Sequence, residues 1–406
     1  MEFINVKLSD IGEVVGGATP STKNPDNYDG NIAWITPKDL AGYNKVYISK
    51  GERNITEMGF KSCSTKFLPK NSVLFSSRAP IGYVAISEND LCTNQGFKSI
   101  IPNNKIDYKF LYYLLKHNKN YIASKGSGST FKEVSGSVMK EIELSIPKNI
   151  NDQKKISKIL FDIDKKIELN NEINNNLFEL LKQEFREKFY NKKEKDSYLR
   201  DYISETIGGD WGKSAPEGNN NTMVYCVRGA DIPSMEYGNK GNAPIRYILE
   251  KNYKNKKLDP NNIIIEISGG SPTQSTGRTA FITKSILDMY DSPLLCTNFC
   301  RAIEAKSNIL APFVYLNLKL MYDDDIFFNW ENGTTGIKNL ALNDLLNNLK
   351  VKTPDEMMVK DFYLLFNNIM NKISNNSNEN IKLEQLRDTL LPKLMNGEID
   401  LDNIEI

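Results

Sequence analysis

The chain repeats itself, and a repeat of this length constrains the architecture more than any other property. Short motifs recur at an offset of about 190–207 residues. Leu8-Ser9-Asp10 returns as Leu199-Arg200-Asp201, and Gly16-Gly17 as Gly208-Gly209. Trp34 to Asp39 faces Cys226 to Asp231, and the apolar run from Ser72 to Ser77 matches Asn262 to Ser268. Gly82 and Ala85 match Gly277 and Ala280, and Thr93-Asn94 matches Thr297-Asn298. Gly128-Ser129-Thr130 answers Gly333-Thr334-Thr335, and Pro147 answers Pro354. Solenoid units are several-fold shorter than this. The period therefore predicts two copies of one domain, each followed by the same appendage.

Each copy reads as mixed α/β. Ile142 to Ile146 and Ile263 to Ile267 are β-branched runs of strand length, whereas Tyr108 to His117 and Pro312 to Met321 carry helical apolar spacing. The appendage is a long helix. From Asp152 to Tyr190, with Asn151 and Asp152 as caps, Ile156, Ile163 and Leu177 fall seven or fourteen apart. Ile159, Ile173 and Leu180 interleave three residues later, with Asn170 at one seam position. The second helix, Glu356 to Leu391, repeats the frame with Phe362, Ile369 and Leu383, then Leu365 and Leu386. Its run Ser374 to Asn380 is poor in helix formers and predicts a loosened segment. About 39 residues at 1.5 Å each make a rod of nearly 60 Å, whose seam needs a partner. The predicted architecture is α/β (mixed): two similar domains separated by two long helices in an antiparallel coiled coil, related by a pseudo-two-fold. The expected boundaries are 1–150, 151–195, 196–355 and 356–406.

Composition excludes several functions. There is one histidine, His117, at the end of a predicted helix where a basic group suits the dipole. One histidine makes neither a multi-histidine metal site nor a paired-histidine zinc helix. Five scattered cysteines without a C-x-x-C pair support neither a disulfide framework nor a zinc ribbon. The start of the chain lacks a signal-peptide pattern, and no apolar run approaches eighteen residues, so a cytoplasmic protein is expected. Ile207 to Ser214 resembles a phosphate-binding loop, but only three residues separate Gly208 from Gly212. Charge nearly balances, at 52 basic against 51 acidic residues, yet residues 1–150 are net basic and residues 356–406 net acidic.

Polar loops follow the predicted strands. In the first copy they hold Ser76, Ser77 and Arg78, Asn94 and Gln95, and Thr130 and Lys132. In the second they hold Ser268, Gln274, Ser275 and Arg278, Asn298 and Arg301, and Thr335 and Lys338. Lys38, Lys98 and Arg228 add charge nearby. Arginine suits guanine, Asn and Gln suit adenine, and hydroxyls suit phosphate, so these are the candidate DNA contacts. Two other readings stay open: a two-headed protein-binding adaptor with a coiled-coil spacer, and a metal-dependent nuclease around Asp291 and Glu304.

The chain resembles the DNA-specificity (S) subunit of bacterial type I restriction-modification systems. The resemblance rests on Leu8 to Ile11 with Gly17-Ala18-Thr19-Pro20-Ser21, on Tyr28, Gly30 and Trp34-Ile35, and on Ser77-Arg78-Ala79-Pro80-Ile81-Gly82. It extends through Asn94-Gln95-Gly96-Phe97, Gly128 to Phe131, and Ile146-Pro147 followed by Gln153, Ile156, Leu160, Asp164 and Ile167. It ends in Leu386-Arg387-Asp388 through Gly397-Glu398-Ile399. The second copy departs, with Gly209-Asp210-Trp211-Gly212 in place of Gly-Ala-Thr-Pro and Lys360 where Gln153 would be answered. The resemblance implies two target-recognition domains on an antiparallel coiled coil, reading a bipartite, asymmetric double-stranded DNA target. It implies a non-catalytic chain without metal or cofactor of its own. Two methyltransferase (M) subunits using S-adenosylmethionine would be its partners. Restriction (R) subunits using ATP and Mg would join them.

Overall fold

The computed structural model describes residues 1–78, 80–128, 132–271, 273–333, 338–399 and 401. Two compact units divide the chain. The first comprises Met1–Leu169 with Asn380–Ile406, the second Asn170–Glu379. The division passes through both long helices, so each unit owns a piece of each.

The first unit is built on a five-stranded sheet in the order Gly12–Gly16, Lys98–Pro102, Val73–Ser77, Ile81–Ser87 and Tyr47–Ile48. The helix Tyr108–His117 covers it, presenting Phe110 to Leu115 to the core. Phe3–Lys7 pairs antiparallel with Glu143–Pro147, which brings the ends of the domain together beside the long helix. The second unit repeats the plan. Ile203–Gly208, Cys300–Ala305, Ile263–Glu266 and Thr279–Phe281 form a sheet in the corresponding order, with the same antiparallel pairings. Ser197–Tyr198 with Lys350–Val351 takes the place of the terminal pair. The helix Ala311–Asp323 takes the place of Tyr108–His117 and is buried along almost its whole length. The predicted repeat is thus a repeat of topology.

Hydrogen bonds correct its register by one residue. The amide of Ala18 donates to the carbonyl of Thr93 at 3.0 Å, and the amide of Asp210 to that of Cys296 at 2.9 Å. Phe97 donates to Asn94 as Cys300 does to Thr297, and Ser77 to Gly96 as Ile267 does to Phe299. Asn94 therefore answers Thr297 rather than Asn298. Gln95 answers Asn298, Gly96 answers Phe299 and Lys98 answers Arg301. The shared Thr-Asn dipeptide misled the alignment, because identity of two letters carries less than the register of a ladder.

The first long helix runs Ile150–Phe185 and closes with a π-helical turn at Arg186–Tyr190. Its cap is Asn149, whose Oδ1 accepts from the amide of Asn151 at 2.9 Å, not Asn151 or Asp152 themselves. The second runs Glu356–Met395, with the Asp355 carboxylate accepting from Met357 and Met358 at 2.9 and 3.0 Å. They run antiparallel within each unit. In the first, Arg387 meets Asp164 at 2.8 Å. In the second, Asn174 bonds Asn376 and Ser377, and the rings of Phe185 and Phe362 lie 5.4 Å apart.

The seam on the first helix keeps Ile156 and Asn170, both buried, but is shifted by one residue from the count at four other positions. Asp164, Asn174, Phe178 and Leu181 are buried, whereas Ile163, Ile173 and Leu177 are only half-buried and Leu180 is 46% exposed. Ile156 is buried and Ile159 packs partly against the core. On the second helix Phe362 and Ile369 are buried, Leu365 and Leu383 half-buried, and Leu386 47% exposed. Polar residues occupy seam positions, so counting only apolar letters selects the neighbouring stripe. The Ser374–Asn380 run is helical throughout rather than loosened. Ser374, Asn376, Ser377 and Asn380 are buried, and the Asn376 amide donates to Asn174 Oδ1 at 2.8 Å. Tertiary hydrogen bonds offset weak helix propensity there.

Candidate nucleic-acid interface

The loops after the central strands form corresponding clusters in the two units. In the first, Gln95 is exposed at a tight turn that Asn94 holds by accepting from the Gly96 amide at 2.8 Å. The hydroxyl of Thr19 donates to Gln95 Oε1 across this turn. Lys98 lies beneath, with its ammonium 3.2 Å from Glu133. Arg78 reaches the same carboxylate at 3.7 Å. Lys132 is exposed next to Glu133. One carboxylate thus fixes two cations beside an exposed amide.

In the second unit Asn298 occupies the place of Gln95 and is exposed. Arg301 takes the place of Lys98, with its guanidinium over Gly208. Ser268, in register with Asn339, bonds its side chain as Arg78 meets Glu133. Arg278 makes a two-pronged bond to Glu266 at 2.6 and 2.9 Å, and that hydrogen-bonded carboxylate raises the arginine pKa. Arg228 is paired with Asp231 in the same way, at 3.0 and 3.1 Å. Lys338 meets Glu331 at 2.8 Å. Burial would raise the pKa of Glu331, but Lys338 and the Thr276 amide more than offset it. Gln274 is exposed and donates to the Tyr322 hydroxyl at 3.2 Å.

Three candidates are structural instead. Ser76 and Ser77 are fully buried. The Ser76 hydroxyl donates to Pro80 and accepts from the Tyr83 amide, while the Ser77 hydroxyl donates to Gly96. Ser275 is buried as well. The strand Val73–Ser77 is covered on both faces, so its consecutive hydroxyls are both buried, and the loop residue Ser275 is packed inside as well. Arg278 answers Tyr83, not Arg78, because Gly277 answers Gly82 at matching positive φ. Lys38 is exposed and paired with Glu52 at 2.6 Å. Thr130 and Thr335 lie outside the described residues.

The sequence model of the family described as "Type I restriction modification DNA specificity domain" matches residues 2–179 and again 201–388, one match for each copy of the repeat. The chain belongs to this specificity family. A relative in Methanocaldococcus jannaschii, the type I restriction enzyme MjaIX specificity subunit, is 33% identical over 98% of this chain and 94% of its own length. The EcoR124I/EcoR124II specificity subunit of Escherichia coli is 30% identical over 39% of this chain and 40% of its own. The solved S subunit from M. genitalium shares the fold, with a TM-score of 0.55 at 18% identity over 97% of this chain and 96% of that one.

Within this family member, the acidic partners of the candidate cations were missed from sequence. Glu133, Asp231, Glu266 and Glu331 lie 3 to 55 residues from the groups they hold. Only the Arg228-x-x-Asp231 spacing carried a local signal. The nuclease reading finds no support. Asp291 accepts from the Tyr225 hydroxyl at 2.8 Å, and Glu304 stands in register with Glu205. Among the described residues no group of three or more His, Cys, Asp or Glu side chains is placed to hold a metal ion. No helix among them is long and apolar enough to cross a membrane. Burial pushes the thiols of Cys226 and Cys296 up to about 12, so they act as core hydrophobes.

Proposed function

We propose that this chain is the sequence reader of a type I restriction-modification complex in the bacterial cytoplasm, and that each unit reads one half of a bipartite target. The observation that carries this is the exposed amide, Gln95 or Asn298, presented at equivalent turns beside Lys98 or Arg301 in a chain of the specificity family. An amide can pair with two edge atoms of adenine, and a cation beside it can hold phosphate or guanine. Arg78 in the first cluster answers Ser268 in the second, and Thr19 answers Trp211, which favours unlike half-sites. Methyl transfer and cleavage belong to partner M and R subunits, where S-adenosylmethionine, ATP and Mg act. Family membership favours this reading over the protein-binding adaptor.

The test is selection of DNA from a random library by the chain assembled with its methyltransferase subunits. Two fixed, unlike sequences separated by an unread spacer are expected. Replacing Gln95 with Ala should relax the first sequence alone, and Asn298 with Ala the second alone, at about 1–3 kcal/mol each. A single continuous sequence, or a uniform loss with either variant, would overturn the proposal.

A further inference from the structure

The two units differ sharply at one place on the reading surface. In the first, the ring of Pro37 sits against Gly96 so closely that a Cβ on Gly96 would stand 2.8 Å from Pro37 Cγ. Thr19 lies over Gln95, and the buried Ser76 closes the floor with a short hydroxyl. In the second unit all four equivalent positions have changed. Trp211 answers Thr19, Gly229 answers Pro37, Glu266 answers Ser76 and Phe299 answers Gly96. These equivalences follow from the hydrogen bonds of Asp210 and Ile267 and from the Arg228–Asp231 turn, which repeats Thr36–Asp39. The result is a cavity of about 380 Å³ lined by Trp211, Gly229, Glu266, Asn298 and Phe299, among others.

Its walls are flat and apolar, and its floor accepts hydrogen bonds. Phe299 is 56% exposed at the mouth. Trp211 is braced from behind by Arg246, whose guanidinium lies 4.1 Å from the ring centroid. Glu266 is almost wholly buried, and Arg278 orients it with two bonds. A carboxylate has about four acceptor positions, so two remain. The backbone approaches so closely that a Cβ on Gly229 would stand 2.2 Å from Glu266 Oε1, and one on Gly269 2.6 Å. A side chain at either glycine would displace the carboxylate, and Glu266 lines the cavity.

We infer that the second unit carries a socket for one nucleobase swung out of the duplex, an amino-bearing base (adenine, cytosine or guanine). The base lies against Trp211 and Phe299 and donates its amino group to Glu266. A stacked base exposes only its edge, and that edge cannot reach a carboxylate that is almost wholly buried. An extruded base can, and its ring faces then gain aromatic contact. The volume falls at the small end of ligand pockets, room for a single base rather than a base pair. Asn298 at the rim places the socket on the reading surface, so this inference rests on the DNA-reading proposal.

Extrusion costs a few kcal/mol, and less for a mispaired base. The experiment uses the chain assembled with its methyltransferase subunits and DNA holding both half-sites. A single mismatch is moved through the second half-site and its flanks. One position is expected where mispairing tightens binding about tenfold, a fraction of the extrusion cost. The gain should vanish in the Trp211→Thr/Phe299→Gly variant, which installs the first unit's residues at two exposed positions. Thymine in the extruded position should bind weakest, since it has no exocyclic amine. No tightening position, or a gain that survives in the variant, overturns the socket and leaves the reading proposal standing. Failure of the unmodified complex to prefer the two-half-site DNA over random DNA overturns both.

Discussion

Replacing Arg387 with Met should strand a buried charge in the first unit. The guanidinium of Arg387 donates to Asp164 Oδ1 at 2.8 Å, and the Tyr113 hydroxyl donates to Asp164 Oδ2 at 2.7 Å. The Asp164 side chain is 8% exposed and that of Arg387 21%. Burial works against the arginine's charge, yet Asp164 and Asp388 more than compensate, so its pKa is raised. Removing one member of a buried pair costs about 3–5 kcal/mol, because the remaining charge is left without its partner. The lower end, about 3 kcal/mol, applies here, since Tyr113 still serves Asp164 and water reaches part of Arg387. At roughly 2–3 kcal/mol per molar urea the midpoint should fall by about 1 M. Trp34 is the first unit's own tryptophan, so replacing Trp211 and Trp330 with Phe makes fluorescence report that unit. The Asp164→Asn/Arg387→Met double variant removes the stranded charge and keeps the acceptor for Tyr113. It should regain more than half of the loss. A single variant within 1 kcal/mol of the parent would mark the pair as solvent-screened. A double variant no better than the single would place the loss in packing of the arginine stem.

Three further outcomes are expected. Glu133→Gln frees Lys98 and Arg78 together, so affinity for random DNA should rise and the log–log salt slope should steepen by about 1–2; an unchanged slope would mean the carboxylate does not restrain them. Phe178→Ala should cost about 3–5 kcal/mol and Leu180→Ala less than about 1, by urea titration; the reverse order would restore the seam counted from apolar spacing. Burial lowers the pKa of His117, so folding disfavours its protonated form. Stability should therefore fall as pH drops from about 6.5 through the lower folded value, and His117→Gln should flatten that decline. A rise in the same interval would refute the assignment.

Much of the architecture was legible in local sequence. The glycines that recur at Gly82 and Gly277 mark the same positive-φ turn in each copy. The apolar spacing of Tyr108–His117 and of the two long helices marked the helices themselves. The site was legible only as loops. Gln95 and Asn298 emerged as exposed counterparts, while Ser76, Ser77 and Ser275 are buried, a distinction that depends on what the fold packs over each position.

Sequence by itself determined the two-copy plan, because a repeat, its glycines and its helical period are properties of neighbouring residues and survive without knowledge of contacts. Tertiary structure alone decided the rest. It shifted part of the seam by one residue, since Asp164 and Asn174 are buried there against partners roughly 200 positions away. It paired Glu133 with Arg78 and Lys98, and Glu266 with Arg278, across separate strands. It also gathered Trp211, Gly229, Glu266 and Phe299, spread over 89 positions, around one cavity. Charge pairing and packing act through space, and no local pattern records which distant side chain will be the neighbour.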